Sequence, residues 1–130
     1  MAMTMNWIGD LNFRSGEGGP PLDLFSSSEK APSPTQALAY AAMACMAMDV
    51  VHVLTKGRHE LKALRVSFDG ERAAEHPRRY LNMKLHFDIT GDVPEAAVER
   101  SIQLSRDTYC SVLNTLDPNL DFQTSFTVHR

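Results

Sequence analysis

Between residues 37 and 54 the chain is apolar almost without interruption, broken only by Asp49 and His52. A stretch of this length with no glycine or proline reads as one helix, and its composition leaves two places for it, a protein core or a bilayer. It is short for a span, and Asp49 would carry a costly charge into hydrocarbon, so a core helix is expected. Ala39, Ala41, Ala42 and Ala44 would let another backbone approach closely. A helix apolar nearly all round is more than one small domain can easily surround, which points to a second copy of the chain. Ser33 is placed to cap this helix with Pro34 at its first position, and Lys56 followed by Gly57 marks its end.

The remaining segments predict sheet and one further helix. Residues 6–14 begin with an alternation carried by Trp7, Gly9, Leu11 and Phe13, so one strand is expected there. A Gly- and Pro-rich turn over 15–21 follows, then a short strand at 22–25. Residues 60–71 alternate through Leu61, Ala63, Leu64, Val66 and Phe68, and residues 79–89 repeat this with Tyr80, Leu81, Met83, Leu85, Phe87 and Ile89. The two read as an antiparallel pair joined by a solvated loop. A second helix is expected from Pro94 and Glu95, with Val98, Ile102, Ser105, Tyr109, Val112 and Leu116 on one stripe. Phe122, Thr124, Phe126 and Val128 form a last strand. The expected order is β-β-α-β-β-α-β, an α+β class fold over residues 1–130 as one domain, with sheet covering helices.

Composition excludes several classes of function. A formal net charge of −3 leaves no basic patch for polyphosphate, so no nucleic acid partner is expected. Residues 1–6 have neither a positive start nor an apolar centre, so they do not resemble a secretory signal and a cytoplasmic location is expected. There, thiols stay reduced unless they are catalytic or sensing.

Cys45 and Cys110 are the two cysteines, and both fall in segments that read as helix. Neither has a cysteine neighbour two to four residues away, so they suit a redox pair better than a metal site. Reduction of a peroxide needs a thiolate that becomes a sulfenic acid and a second thiol that captures it as a disulfide; two cysteines are the minimum set. Cys110 would lie beside a short helical turn at 111–113, whose N–H groups would favour its thiolate. Cys45, in apolar surroundings, would have a raised pKa and would need a nearby cation. The plain reading of a lone cysteine in an Ala-rich helix is an inert small hydrophobe. Asp49 and His52 share a helix face with Cys45, but His52 would lie ~10 Å along the axis, too far for a triad. Asp49 is expected as a partner of a backbone or arginine group, and His52 as a helix-end or dimer contact.

Three stretches in order carry a family resemblance. Pro32, Ser33 and Pro34 precede the Ala-rich run to Cys45 and then Met48, Asp49, Val50 and Val51; residues 71–78 follow; Leu104 and Ser105 lead to Tyr109, Cys110, Ser111 and Val112. Together they resemble the OsmC/Ohr family, the osmotically inducible and organic-hydroperoxide-resistance proteins, on the OsmC-like side. The resemblance implies an intertwined homodimer whose long central helices are wrapped by antiparallel sheet from both subunits. It implies a cofactor-free thiol peroxidase acting on organic hydroperoxides, with Cys45 attacking and Cys110 resolving, and an external dithiol or lipoylated protein as reductant. In the hydroperoxide-resistance branch an arginine of the N-terminal hairpin and a glutamate early in the first helix pair beside the attacking cysteine. Here the glutamate's positions hold Thr35 and Gln36, and the nearest match to the arginine is Arg14, which also reads as a solvated turn residue. Two other functions remain open from the residues: a dimer that binds a small apolar ligand with its cysteines merely buried, and a hotdog-type thioesterase, which would need neither thiol.

Overall fold

A computed structural model describes residues 2–130; Met1, part of the N-terminal reading, lies outside the described residues. The chain forms two compact units, residues 1–40 and 41–130.

The N-terminal unit holds a three-stranded antiparallel sheet of β1 (Met5–Trp7), β2 (Asn12–Ser15) and β3 (Asp23–Phe25), in that order. The single strand expected over 6–14 is therefore a hairpin. Gly9 and Asp10 take positive φ, 114° and 47°, and the Asn12 N–H closes the turn onto the Gly9 carbonyl at 3.0 Å. A Gly-Asp pair is a known hairpin signal, because both residues tolerate the left-handed region, and here it outweighs the alternation around it.

The helix α1 (Pro34–Lys56) starts and ends where its residues indicate. Ser33 Oγ accepts from the Gln36 N–H at 3.2 Å and Gln36 Oε1 accepts from the Ser33 N–H at 2.9 Å, a reciprocal capping box. Such a cap contributes about 1 kcal/mol. Ala42, Met46, Val50 and Leu54, spaced by four, form a fully buried stripe. The other side is open within one chain, as expected of a helix that one small domain cannot surround, with Tyr40 62% and Met48 70% exposed.

The second unit is built on a sheet of β4 (Glu60–Arg72), β5 (Tyr80–Asp92) and β6 (Asp121–His129). β4 and β5 pair antiparallel as expected, whereas β6 joins β5 in parallel, from Asn82 opposite Asp121 to Thr90 opposite His129. The antiparallel sheet that the resemblance implies is therefore mixed in this chain. The helical segment between β5 and β6 returns the chain to the same end of the sheet, and a parallel partner requires such a crossover. Met83, Leu85, Phe87 and Ile89 of β5 alternate into the core, joined by Val93, Val98 and Leu113. Burial of each such side chain stabilises the fold by roughly 1.5–3 kcal/mol.

The expected second helix is broken. α2 (Glu95–Leu104) passes into a π-helical turn (Ser105–Tyr109), the chain extends at Cys110 (φ −74°, ψ 100°), and α3 (Ser111–Thr115) begins anew. The Cys110 N–H reaches back five residues to the Ser105 carbonyl at 2.8 Å. The extra residue in that turn rotates the stripe, so Tyr109, expected inward, is 57% exposed and Cys110 is fully buried.

One strand position tests the register. Gly91 has φ 140° opposite the bulge between Leu61 and Ala63, and a Cβ there would overlap the Glu60 carbonyl. Gly91→Ala is expected to lower unfolding stability by about 1–3 kcal/mol, read by urea denaturation, with no change in thiol reactivity.

Candidate functional site

Both cysteines, far apart in sequence, meet in the second unit. Cys45 sits midway along α1 and is half-buried; Cys110 is the N-cap residue of α3 and is buried. Asp49, one turn after Cys45 on the same face, completes the group, and the Sγ atoms of Cys45 and Cys110 and a carboxylate oxygen of Asp49 all lie within 4.8 Å of one another.

The corner that presents Cys110 is held from several sides. Asn114 Nδ2 donates to the Cys110 carbonyl at 2.8 Å and to the Arg106 carbonyl at 3.3 Å, tying α3 to the π turn. The Arg106 guanidinium lies 4.8 Å over the Phe122 ring and fastens that turn to β6. Ser105, buried at the start of the turn, donates its hydroxyl to Asp49 Oδ2 at 2.7 Å. Asp49 thus has a serine partner rather than the backbone or arginine partner expected.

The electrostatics invert the expectation for the two thiols. Burial pushes the Cys45 thiol up, but the Val112 N–H, the Cys110 thiol and the Ser111 hydroxyl all hydrogen-bond its sulfur, and the net pKa is lowered despite the opposing charge of Asp49. No cation is needed for that shift. Burial dominates at Cys110 and lifts its pKa to about 11, even though the Leu113 N–H donates to its sulfur at 3.4 Å. The start of α3 therefore favours a thiolate on Cys45, not on Cys110 as the sequence suggested. The expectation failed because Cys110 is enclosed, while the neighbouring N–H reaches across to the half-buried sulfur.

Other expected site residues lie elsewhere. His52 is exposed and lines an apolar groove with Ala44, Ala47, Met48, Val51, Thr55 and Leu64, so no Cys-His-Asp triad forms. In the N-terminal unit Arg14, on β2, grips Asp23, on β3, through two hydrogen bonds of 2.9 and 3.2 Å. The Arg14 hydrogen bond holds the Asp23 carboxyl below the usual range. Asp23 went unnoticed in the sequence, although its place opposite Arg14 in the β2–β3 register makes it a natural cross-strand partner. Gln36, which stands in place of the family glutamate, is engaged by the capping box.

Residues 27–125 match the family described as OsmC-like protein. Protein YhfA of Escherichia coli (strain K12) is 37% identical over 131 residues, covering 98% of each chain. A hypothetical protein from Aquifex aeolicus VF5 superposes with a TM-score of 0.88 at 28% identity, covering 98% of this chain and 94% of its own. An organic hydroperoxide resistance protein OsmC from Legionella pneumophila shares the fold, with a TM-score of 0.72 at 20% identity and 98% of both chains covered. With a family match over most of its length and a relative this similar end to end, the chain belongs to the OsmC-like protein family.

Proposed function

We propose that this protein is a two-cysteine peroxidase for organic hydroperoxides, with Cys45 as the attacking thiol and Cys110 as the resolving thiol. The observation that carries the reading is the meeting of two cysteines from α1 and the cap of α3, their sulfurs within 4.8 Å, one half-buried and one buried; hydrogen bonding lowers the Cys45 pKa and burial raises that of Cys110. The Cys45 thiolate attacks the outer peroxide oxygen, the O–O bond breaks, and the departing alkoxide takes a proton to leave as alcohol. The Cys45 sulfenic acid then loses water as the Cys110 sulfur bonds to Cys45. An external dithiol or lipoylated protein reduces the disulfide by exchange. No bound cofactor enters these steps.

Arg14 belongs to this reading as the activating arginine of the N-terminal strands. Its carboxylate partner is Asp23 from β3, where the hydroperoxide-resistance branch draws a glutamate from the first helix. A cytoplasmic location, with no membrane or nucleic acid partner, suits a thiol chemistry that must be reduced after each turnover.

The reading includes a homodimer. α1 is long and apolar enough to cross a bilayer, and its open side carries Tyr40, Met48 and Val51. Asp49, held by Ser105 halfway along, argues against hydrocarbon and for a second copy covering that side. The groove beside Met48 and Val51 also favours the second reading, a dimer that binds a small apolar ligand without redox chemistry.

Two experiments separate these readings. One equivalent of cumene hydroperoxide is expected to remove both free thiols and give an intramolecular disulfide by intact mass. Cys45→Ser should be inert, Cys110→Ser should stop at a sulfenic acid trapped by dimedone, and Arg14→Met should slow the reaction by at least about tenfold. Thiols that stay free would leave only the ligand-binding dimer. In sedimentation equilibrium the protein should have twice the mass of its chain, with Met48→Glu moved toward monomer; a wild-type monomer at micromolar concentration would refute the dimer.

A further inference from the structure

The peroxidase reading leaves one group at the site without a task. Asp49 is half-buried beside both sulfurs, and its charge raises the Cys45 pKa, which opposes formation of the attacking thiolate. Its orientation is fixed by the buried Ser105 hydroxyl at 2.7 Å. A carboxylate held there is unfavourable for an isolated thiolate and favourable for a cation lying between the three groups.

We infer that Cys45, Asp49 and Cys110 form a three-ligand site for a thiophilic divalent metal, of which Zn2+ is the chemical type. Two ligands stand at i and i+4 on α1, so one rigid helix turn sets their separation, and the third comes from the cap of α3. The sulfurs and the carboxylate oxygen lie within 4.8 Å. Tetrahedral ligation with metal–sulfur bonds of about 2.3 Å places two sulfurs about 3.8 Å apart, inside the 4.8 Å that spans the three groups. Ser105 acts on the oxygen of Asp49 as an outer hydrogen-bond donor that orients a ligand. The carboxylate one turn after Cys45 supplies the third ligand that a neighbouring cysteine or histidine would otherwise provide.

The chemistry balances without a redox partner. Each thiol releases its proton to solvent as its metal–sulfur bond forms, and two thiolates with one carboxylate leave a bound Zn2+ with a net charge of −1. The half-exposed side of Cys45 leaves the fourth position to water. The inference rests on the peroxidase reading only for its consequence: a bound metal occupies both sulfurs, so metal and hydroperoxide exclude one another and the metal-bound form is a protected reserve of reduced protein.

The test is an anaerobic titration of the reduced full-length protein with Co2+, followed by competition with Zn2+ against a chromophoric chelator. One Co2+ per chain is expected, with near-ultraviolet sulfur-to-cobalt charge transfer and the visible bands of a tetrahedral site. The charge-transfer absorption should be lost in the Cys45→Ser, Cys110→Ser double variant. Asp49→Asn, which is nearly isosteric, should weaken binding at least about tenfold while both thiols remain alkylatable; Ser105→Ala, should the first variant fail to fold, should weaken it by about 10–100-fold. Zn2+ should protect both thiols from cumene hydroperoxide until a chelator is added. Absent charge transfer, metal retained in the double cysteine variant, or unchanged affinity in Asp49→Asn would each overturn the site. Thiols that ignore peroxide even without metal would refute the peroxidase reading alone, since absorption reports the metal directly.

Discussion

The site depends on the backbone N–H of Val112 at the start of α3, which lowers the Cys45 pKa against the effect of burial. It is free because α3 has just begun, and α3 begins there because the π turn ends at Tyr109 and the chain extends at Cys110. A continuous α-helix over the same residues would bond that N–H internally and turn Cys110 to another side. The Ser105 carbonyl, the Asn114 side chain and Arg106 over Phe122 hold the break in place. Local backbone geometry thus shifts the pKa values of two chemically identical side chains in opposite directions.

α1 supplies the other half of the constraint. Its buried stripe fixes the helix in rotation, which in turn fixes Cys45 and Asp49 beside the Cys110 corner. Cys45 lies next to the stripe rather than in it, and is therefore only half-buried while its sulfur stays within 4.8 Å of Cys110. Asp49 works against thiolate formation, so the lowered Cys45 pKa is the balance of three hydrogen bonds against burial and one like charge. That balance makes the site responsive to anything that neutralises Asp49.

The elements with strong periodicity were legible in the sequence. β4, β5, α1 and its Ser33 cap stand where alternation, apolar content and capping chemistry put them. The Gly9 turn is masked by the alternation around it, and the parallel pairing of β6 is not legible because a strand's own residues do not state its direction. The resemblance implies that Cys45 and Cys110 act together, and the structure brings their sulfurs within 4.8 Å, but their relative acidity was not legible. No glycine or proline marks the π turn at 105–109; it follows from which side chains the surroundings accept, with Ser105 and Cys110 inward and Tyr109 outward. Asp23 as the partner of Arg14 follows from the strand register, which becomes readable only once β2 and β3 are known.

The division of labour between the two sulfurs is open to direct measurement. The reduced protein would be alkylated with iodoacetamide in brief pulses across a pH series, and each cysteine quantified by peptide mass. A lowered pKa means that Cys45 becomes reactive first as pH rises, with a midpoint below the ordinary thiol range. Cys110, protonated up to about pH 11, should stay unmodified over the same range. Reactivity of Cys110 at lower pH than Cys45, or one shared midpoint, would contradict the account.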